Sequence, residues 1–176
     1  MADLRERVVD DRGLIAKIQA YIPGFNGYRE KDDLKVADNM LRIQIADKLS
    51  AARTEIEACR PVLAKNLGLD RLESLGALIA RFKTVDGEIR NAAQGYSGIS
   101  AKIQVQQANL NQLYDYDLAL MKSVDEVGAE AAKLKGAISA KDSAATEAEM
   151  TLIDAKLTDI EIEFKKRMAV ITNTEA

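Results

Sequence analysis

The stretch of sequence that decides the fold is residues 103–138, which read IQVQQANLNQLYDYDLALMKSVDEVGAEAAKLKGAI. Alternate steps of three and four residues from Ile103 meet an apolar side chain at nine of eleven positions. This spacing places one apolar stripe along a helix and is typical of a heptad seam. It predicts a helix of roughly 54 Å that buries its stripe against other helices. The seam consists of Ile103, Gln106, Leu110, Leu113, Asp117, Leu120, Val124, Val127, Ala131, Leu134 and Ile138.

A second amphipathic segment follows the seam. Gly136 to Ser143 provides the turn, and Ser143 is the predicted N-cap of the last helix. The stripe of that helix is apolar except at Arg167. Residues 99–176 are therefore predicted to form a long helical hairpin. Its last stripe consists of Met150, Ile153, Leu157, Ile160, Phe164 and Ile171.

Residues 1–98 are predicted to form an N-terminal helical region of three helices. The first helix runs over residues 3–21, the second starts near Tyr28, and the third runs from Asp70 to Tyr96. Pro61 either kinks or ends the second helix, and Gly68 is its firmer stop. The two regions are expected to share one core. The predicted fold is all-α, an elongated antiparallel bundle of about five helices.

The composition supports this class and excludes several functions. Aromatic residues are only 5% of the 176 residues and prolines number two, which favours helix over sheet. A net charge of −3 gives no basic excess, so we expect no nucleic-acid partner. The charged N-terminus and the short apolar runs indicate neither a secretory signal nor a transmembrane helix, and they predict a cytoplasmic protein.

The absence of histidine is the most informative single fact about chemistry. It removes histidine acid–base catalysis, Ser-His and Cys-His nucleophile pairs and the ordinary zinc and haem ligand sets. Cys59 is the only cysteine, which rules out an intrachain disulfide, and its apolar helix face predicts a buried structural thiol. We therefore predict no catalytic residue, no metal site and no cofactor.

The most distinctive segment is the elbow between the first two predicted helices, residues 21–38. Proline, two glycines and three aromatic residues fall there, followed by a dense alternation of charge. One interpretation is a rigid joint whose aromatic side chains plug the end of the bundle, as Pro and Gly commonly allow. The other is a docking surface with aromatic anchors and a basic rim. The candidate docking residues are Tyr21, Phe25, Tyr28, Arg29 and Lys31.

The elbow also resembles an uncharacterised prokaryotic helical protein family. The resemblance consists of an Ile-Pro-Gly-aromatic-x-Gly-Tyr motif and a later Ala-Asp followed by Leu-Arg. It is confined to residues 22–42 and implies no activity, but it adds a reason to expect that the elbow matters. The matching residues are Ile22, Pro23, Gly24, Phe25, Gly27, Tyr28, Ala37, Asp38, Leu41 and Arg42.

Two carboxylates stand out because they fall at stripe positions, Asp86 and Asp117. A buried carboxylate is costly unless it is paired, so each is interpreted as a seam end or a cross-helix pair with Lys or Arg. A metal or proton site is the alternative. Lys165, Lys166 and Arg167 near the C-terminus are interpreted as complements to the helix dipole, with a small basic patch as the alternative.

These observations favour a non-enzymatic helical scaffold or adaptor that binds another protein or a second copy of itself. The alternative is a peripheral membrane protein that inserts the apolar face of its first helix. That face holds Leu4, Val8, Ile15 and Ile18, with Arg5, Arg12 and Lys17 near the headgroups. Against the membrane alternative, the same helix carries Asp3, Glu6, Asp10 and Asp11. An enzyme that uses carboxylates alone is a third hypothesis without support from spacing.

Overall fold

The computed structural model describes residues 4–25, 27, 31–92 and 107–172, with side chains from residue 12, 36 and 111 onward in the three longer segments. All regular secondary structure in these segments is helical, which confirms the predicted all-α class. The helices are α1 (Leu4–Gln19), α2 (Lys31–Ala58), α3 (Arg60–Leu67), α4 (Asp70–Asn91), α5 (Gln107–Ser139) and α6 (Ser143–Thr172). None of them is long and apolar enough to cross a membrane.

The described segments hold six helices where about five were predicted, because the second predicted helix is divided at Cys59. The Cys59 amide bonds to the carbonyl of Ile56, 2.9–3.0 Å being usual for such contacts and 3.0 Å the value here, so the last turn of α2 tightens. Pro61 then lies in the first turn of α3, where its missing N–H is not needed. Gly68 ends α3 with a φ of 89°, as predicted for a helix stop.

The four long helices pack in the order α2, α4, α6, α5 around a shared core. Cross-helix ion pairs show their directions: Lys48 meets Asp125 and Arg71 meets Glu147. Helices α2 and α4 are antiparallel, as are α5 and α6, whereas α2 runs parallel to α5 and α4 runs parallel to α6. The predicted antiparallel bundle is thus corrected to a mixed one. Apolar periodicity fixes which face of a helix is buried but not the direction of the neighbour that covers it.

The buried core is contiguous and draws on all six helices. From Leu113 onward, every predicted seam position of α5 is buried, and so is every predicted stripe position of α6. Burying one Leu or Ile side chain contributes about 1.5–3 kcal/mol, so these two stripes account for much of the hairpin's stability. The predicted division at residue 98 and the seam positions Ile103, Gln106 and Leu110 lie outside the described side chains.

The two smaller helices position the ends of the bundle. Helix α1 packs on α5, and α3 contacts α4 and α5. The turn between α5 and α6 contains Lys141 at a φ of 61°, inside the predicted turn. The N-cap of α6 is Asp142 rather than the predicted Ser143, because the Ala145 amide donates to Asp142 Oδ1 at 2.9 Å.

Candidate functional site: a buried charge network

Four charged side chains from three helices meet inside the bundle. Asp38 and Arg42 belong to α2, Asp117 to α5 and Arg167 to α6. Asp38 and Arg42 are 3% exposed, and Asp117 and Arg167 are fully buried. Ionised groups are almost never buried to this degree unless they are paired. The cluster therefore requires an internal account of its charges.

Arg167 is the centre of this network. Its Nε donates to Asp117 Oδ1 at 2.6 Å, and its Nη1 donates to Asp38 Oδ1 at 2.5 Å. Helices α2 and α6 are diagonal neighbours in the bundle, so the guanidinium group reaches across the core to α2. Arginine suits this position because its planar group presents donors in fixed directions. One side chain of α6 is thereby tied to two other helices.

Arg42 extends the network to the fourth long helix. Its Nε donates to Asp38 Oδ2 at 2.8 Å, one turn away on α2. Its Nη1 donates to the carbonyl oxygen of Arg90 at 2.9 Å, at the C-terminal end of α4. The last carbonyls of a helix have no partner within the helix, and a cation there complements the helix dipole. Arg42 therefore closes the end of α4.

The network is electrically balanced, with two carboxylates and two guanidinium groups. A buried ion pair adds little net stability compared with a well-packed apolar pair, but removing one partner is costly. Such a network specifies which helix segments meet, because any other register would leave a charge buried alone. Its chemistry is ion pairing, and the described side chains include no group of three or more His, Cys, Asp or Glu that could hold a metal ion.

Comparison with protein-family models, curated proteins and solved structures finds no match. The resemblance at the elbow is neither supported nor contradicted by that result. Two of the positions that carried it, Asp38 and Arg42, belong to the buried network.

The predicted docking residues do not share one exposed surface. Phe25 is fully buried, and its ring meets Tyr114 edge-on with centroids 6.3 Å apart and an interplanar angle of 80°. Gln19 Nε2 holds the Phe25 carbonyl at 2.7 Å, and Tyr21 is half-buried against the core. This is the plug interpretation of the elbow for Phe25. The side chains of Tyr28, Arg29 and Lys31 lie outside the described residues.

Gly27 fixes the elbow against α5. Its φ of 88° is a conformation that L side chains rarely adopt. A Cβ at this position would lie 2.7 Å from the Tyr114 Oη and 3.0 Å from Ile15 Cδ1. The absence of a side chain thus allows the close approach of the elbow, α1 and α5.

The two carboxylates singled out by their stripe positions are both paired with arginine. Asp117 forms the predicted cross-helix pair, with Arg167. Asp86 instead pairs within α4, with Arg90 Nε at 2.9 Å. The interpretation of Arg167 as a dipole complement or part of a basic patch is wrong, because its side chain is fully buried. The available signal was that Arg167 is the one polar step in the stripe of its helix.

Cys59 is buried, as predicted. Burial raises the pKa of its thiol, Lys135 partly offsets this and Glu55 adds to it. The Sγ atom lies 3.2 Å from the Glu55 carbonyl oxygen. A raised pKa reduces the thiolate fraction, so the thiol has the character of a structural residue.

An open groove of about 510 Å³ separates α4 from α6 and includes Leu78, Met150 and Thr151 in its walls. The cation in this groove, Arg81, is held by Glu161 and by Asp154, the latter at 3.6 Å. Those contacts raise the pKa of Arg81, chiefly through the hydrogen bond with Glu161. The charge in the groove is therefore engaged in joining the two parallel helices.

Aliphatic side chains are exposed on the outer side of α2. Val36 is 60% exposed and Ile43 is 44% exposed, and they lie seven residues apart on one face with half-buried Met40 between them. The elbow adjoins Met40, because a Cβ at Gly24 would lie 3.9 Å from Met40 Cε. We name Val36, Met40 and Ile43 the outer α2 patch.

Proposed function

We propose that the protein is a non-enzymatic helical scaffold or adaptor that associates with another protein or with a second copy of itself. The observation that carries the proposal is the outer α2 patch, beside the one elbow that the sequence marks as distinctive. Contiguous exposed apolar surface is a common feature of protein-binding faces, whereas isolated exposed aliphatics are ordinary. A cytoplasmic location and the absence of a nucleic-acid partner belong to the same proposal.

The body of the bundle suits a scaffold because its helices are fixed relative to one another. The buried network holds α2, α5 and α6 together and closes the end of α4. At the surface, Arg90 of α4 pairs with Asp47 of α2 at 2.8 Å, and Lys156 of α6 pairs with Glu126 of α5 at 2.7 Å. A surface patch on such a body is preorganised, which lowers the entropic cost of binding.

The outer α2 patch has the make-up of a small binding site. Its apolar centre is flanked by exposed polar side chains, Asn39 within the patch and Asp47 one turn beyond it. Interfaces typically combine an apolar centre with a polar rim. Because Phe25 is spent on the core, the binding role proposed for the elbow passes to the neighbouring face of α2.

The membrane alternative gains no support from the described part of α1. Ile18 is fully buried and Ile15 packs against the core, so half of the predicted insertion face is already covered by the bundle. Insertion would require α1 to leave α5. Co-sedimentation with anionic liposomes would expose this alternative, since a scaffold stays in the supernatant.

The test compares association in the wild type with a Val36→Glu/Ile43→Glu double variant. Sedimentation velocity from low to high micromolar concentration measures self-association, and chemical crosslinking in cell extract measures association with other proteins. We expect the double variant to abolish the assembly that the wild type forms, because two charges would be desolvated at the interface.

Leu69→Glu/Leu152→Glu is the matched control, since both positions are exposed and lie away from the patch. This control should assemble as the wild type does. A wild type that stays monomeric and forms no patch-dependent crosslink would overturn the proposal. Equal loss of assembly in both double variants would show that added charge, and not the patch, is responsible.

A further inference from the structure

Two glutamates meet across the α5–α6 hairpin, away from the buried network. Glu130 of α5 is 8% exposed, and Glu149 of α6 is half-buried. One oxygen of each carboxyl group, Oε2 in both cases, is shielded from solvent and accepts no hydrogen bond from a described donor. The two side chains lie within hydrogen-bonding reach of each other. Two ionised carboxylates cannot bond, because both are acceptors only.

We propose that Glu130 and Glu149 bind one proton between them and act as a pH-sensitive latch that tightens the α5–α6 hairpin in mildly acidic solution. A proton on one carboxyl group supplies the missing donor, so the pair becomes a hydrogen bond between an acid and a carboxylate. Loss of that proton leaves two like charges in a partly desolvated seam, and such an arrangement is unfavourable.

The surrounding charges assign the proton to Glu149. Lys133, one turn along α5, donates to Glu130 Oε1 at 3.1 Å and lies 2.9 Å from its Oε2. Lys133 lowers the pKa of Glu130, and the charge of Lys156 from α6 acts in the same direction. Burial raises the pKa of Glu149, and the contact with Glu130 raises it further. None of the described groups that set the pKa of Glu149 comes from α2, α3 or α4.

The direction of the pH effect follows from the raised pKa of Glu149. The folded chain binds a proton in a range where the unfolded chain has released it, so stability falls as pH rises through that range. The contribution of the latch is complete below the ordinary pKa of glutamate and is lost as the pH passes the raised pKa of Glu149. The buried arginine network at the other end of the hairpin does not depend on this proton, so loosening should be greatest between Glu130 and the turn.

The direct test is an NMR titration of the glutamate side-chain carboxyl carbons in the full chain. We expect Glu149 to titrate above the ordinary glutamate value in the wild type. In Glu130→Gln the midpoint of Glu149 should fall, because a side-chain amide donates to a carboxylate and favours ionisation. A wild-type midpoint at or below the ordinary value would overturn the proposal.

The second test compares melting temperatures of the wild type and Glu149→Gln across pH. The amide imitates the protonated acid, so the two proteins should melt together in acid and the variant should melt higher as pH rises. Glu55→Gln removes an exposed carboxylate on α2 and serves as the control, with a difference from the wild type that stays constant with pH. A constant difference for Glu149→Gln as well would also overturn the latch.

Discussion

Arg167 shows how one residue can control an entire bundle. It occupies a position where its neighbours in the stripe are all apolar, and it is fully buried there. Its guanidinium group neutralises carboxylates of two other helices, at 2.6 Å from Asp117 and 2.5 Å from Asp38. A buried charge of this kind is acceptable only in one arrangement of the helices, which is how polar residues in cores specify register.

Arg167→Met should lower the free energy of unfolding by about 3–5 kcal/mol, the usual cost of removing one partner from a buried ion pair. The methionine retains much of the side-chain length, so the loss comes from the uncompensated charge of Asp117. Equilibrium denaturation in urea measures it. Adding Asp117→Leu to the variant should recover part of the loss, because the buried charge is then gone.

The control for this prediction is Lys166→Ala, one residue earlier. Lys166 is exposed and pairs with Glu163 at 3.1 Å on the surface. Exposed pairs contribute about 0–1 kcal/mol, so this change should be nearly silent. A loss below about 1 kcal/mol in Arg167→Met would mean that water reaches the network.

Gly27→Ala should destabilise the protein more than Gly24→Ala, although both glycines have a positive φ, of 88° and 86°. Each alanine incurs backbone strain of about 1–3 kcal/mol. At Gly27 the added Cβ also falls 2.7 Å from the Tyr114 Oη, whereas at Gly24 the nearest atom is 3.9 Å away. Thermal denaturation measures both variants. Tyr114→Phe should partly rescue Gly27→Ala but not Gly24→Ala, and equal losses in the two alanine variants would contradict the clash.

At the scale of the helices, the stripe of α5 is the element on which the fold depends. Leu120 and Val124 lie at its centre and are fully buried. Either substitution to Asp should cost more than about 4 kcal/mol, because each places an unpaired charge in the core. Urea denaturation measures the change. Lys122→Asp on the exposed side of the same helix is the control, and its small effect would show that the loss in the seam is due to burial.

The helices themselves were largely predictable because apolar periodicity is a local signal. The stripes of α2, α4, α5 and α6 are buried where the spacing of three and four residues places them. The division at Cys59 was less predictable, since Pro61 is compatible both with a kink and with the first turn of a new helix. The sequence therefore located the break and left its form open.

At the scale of the whole molecule, the far-UV circular dichroism spectrum should be dominated by helix, far above the roughly one-third typical of globular proteins. The six helices cover most of the described chain, and no described residue is in a strand. A substantial strand signal in the spectrum would contradict the fold. Loss of helix signal in Arg167→Met at moderate urea should follow a single transition if the bundle unfolds as one unit.

The arrangement of the helices was not predictable from periodicity alone. A stripe states that a face is covered but not by which neighbour, so the parallel contacts of α2 with α5 and α4 with α6 had no local signal. The same holds for the network. Asp117 and Arg167 each stood out as a polar step, yet nothing in their spacing joined them to each other or to Asp38. Only the packed molecule brings these positions together.

The contact between Asp38 and Arg167 joins residues 129 positions apart. During synthesis from the N-terminus, Asp38 can pair with Arg42 early, because the two lie one turn apart. Asp117 must wait for the last helix to leave the ribosome before Arg167 reaches it. Contacts between such distant positions also slow folding, since a long loop must close first. A nascent chain that stops before Arg167 should therefore hold an incomplete bundle and depend on chaperones until translation ends.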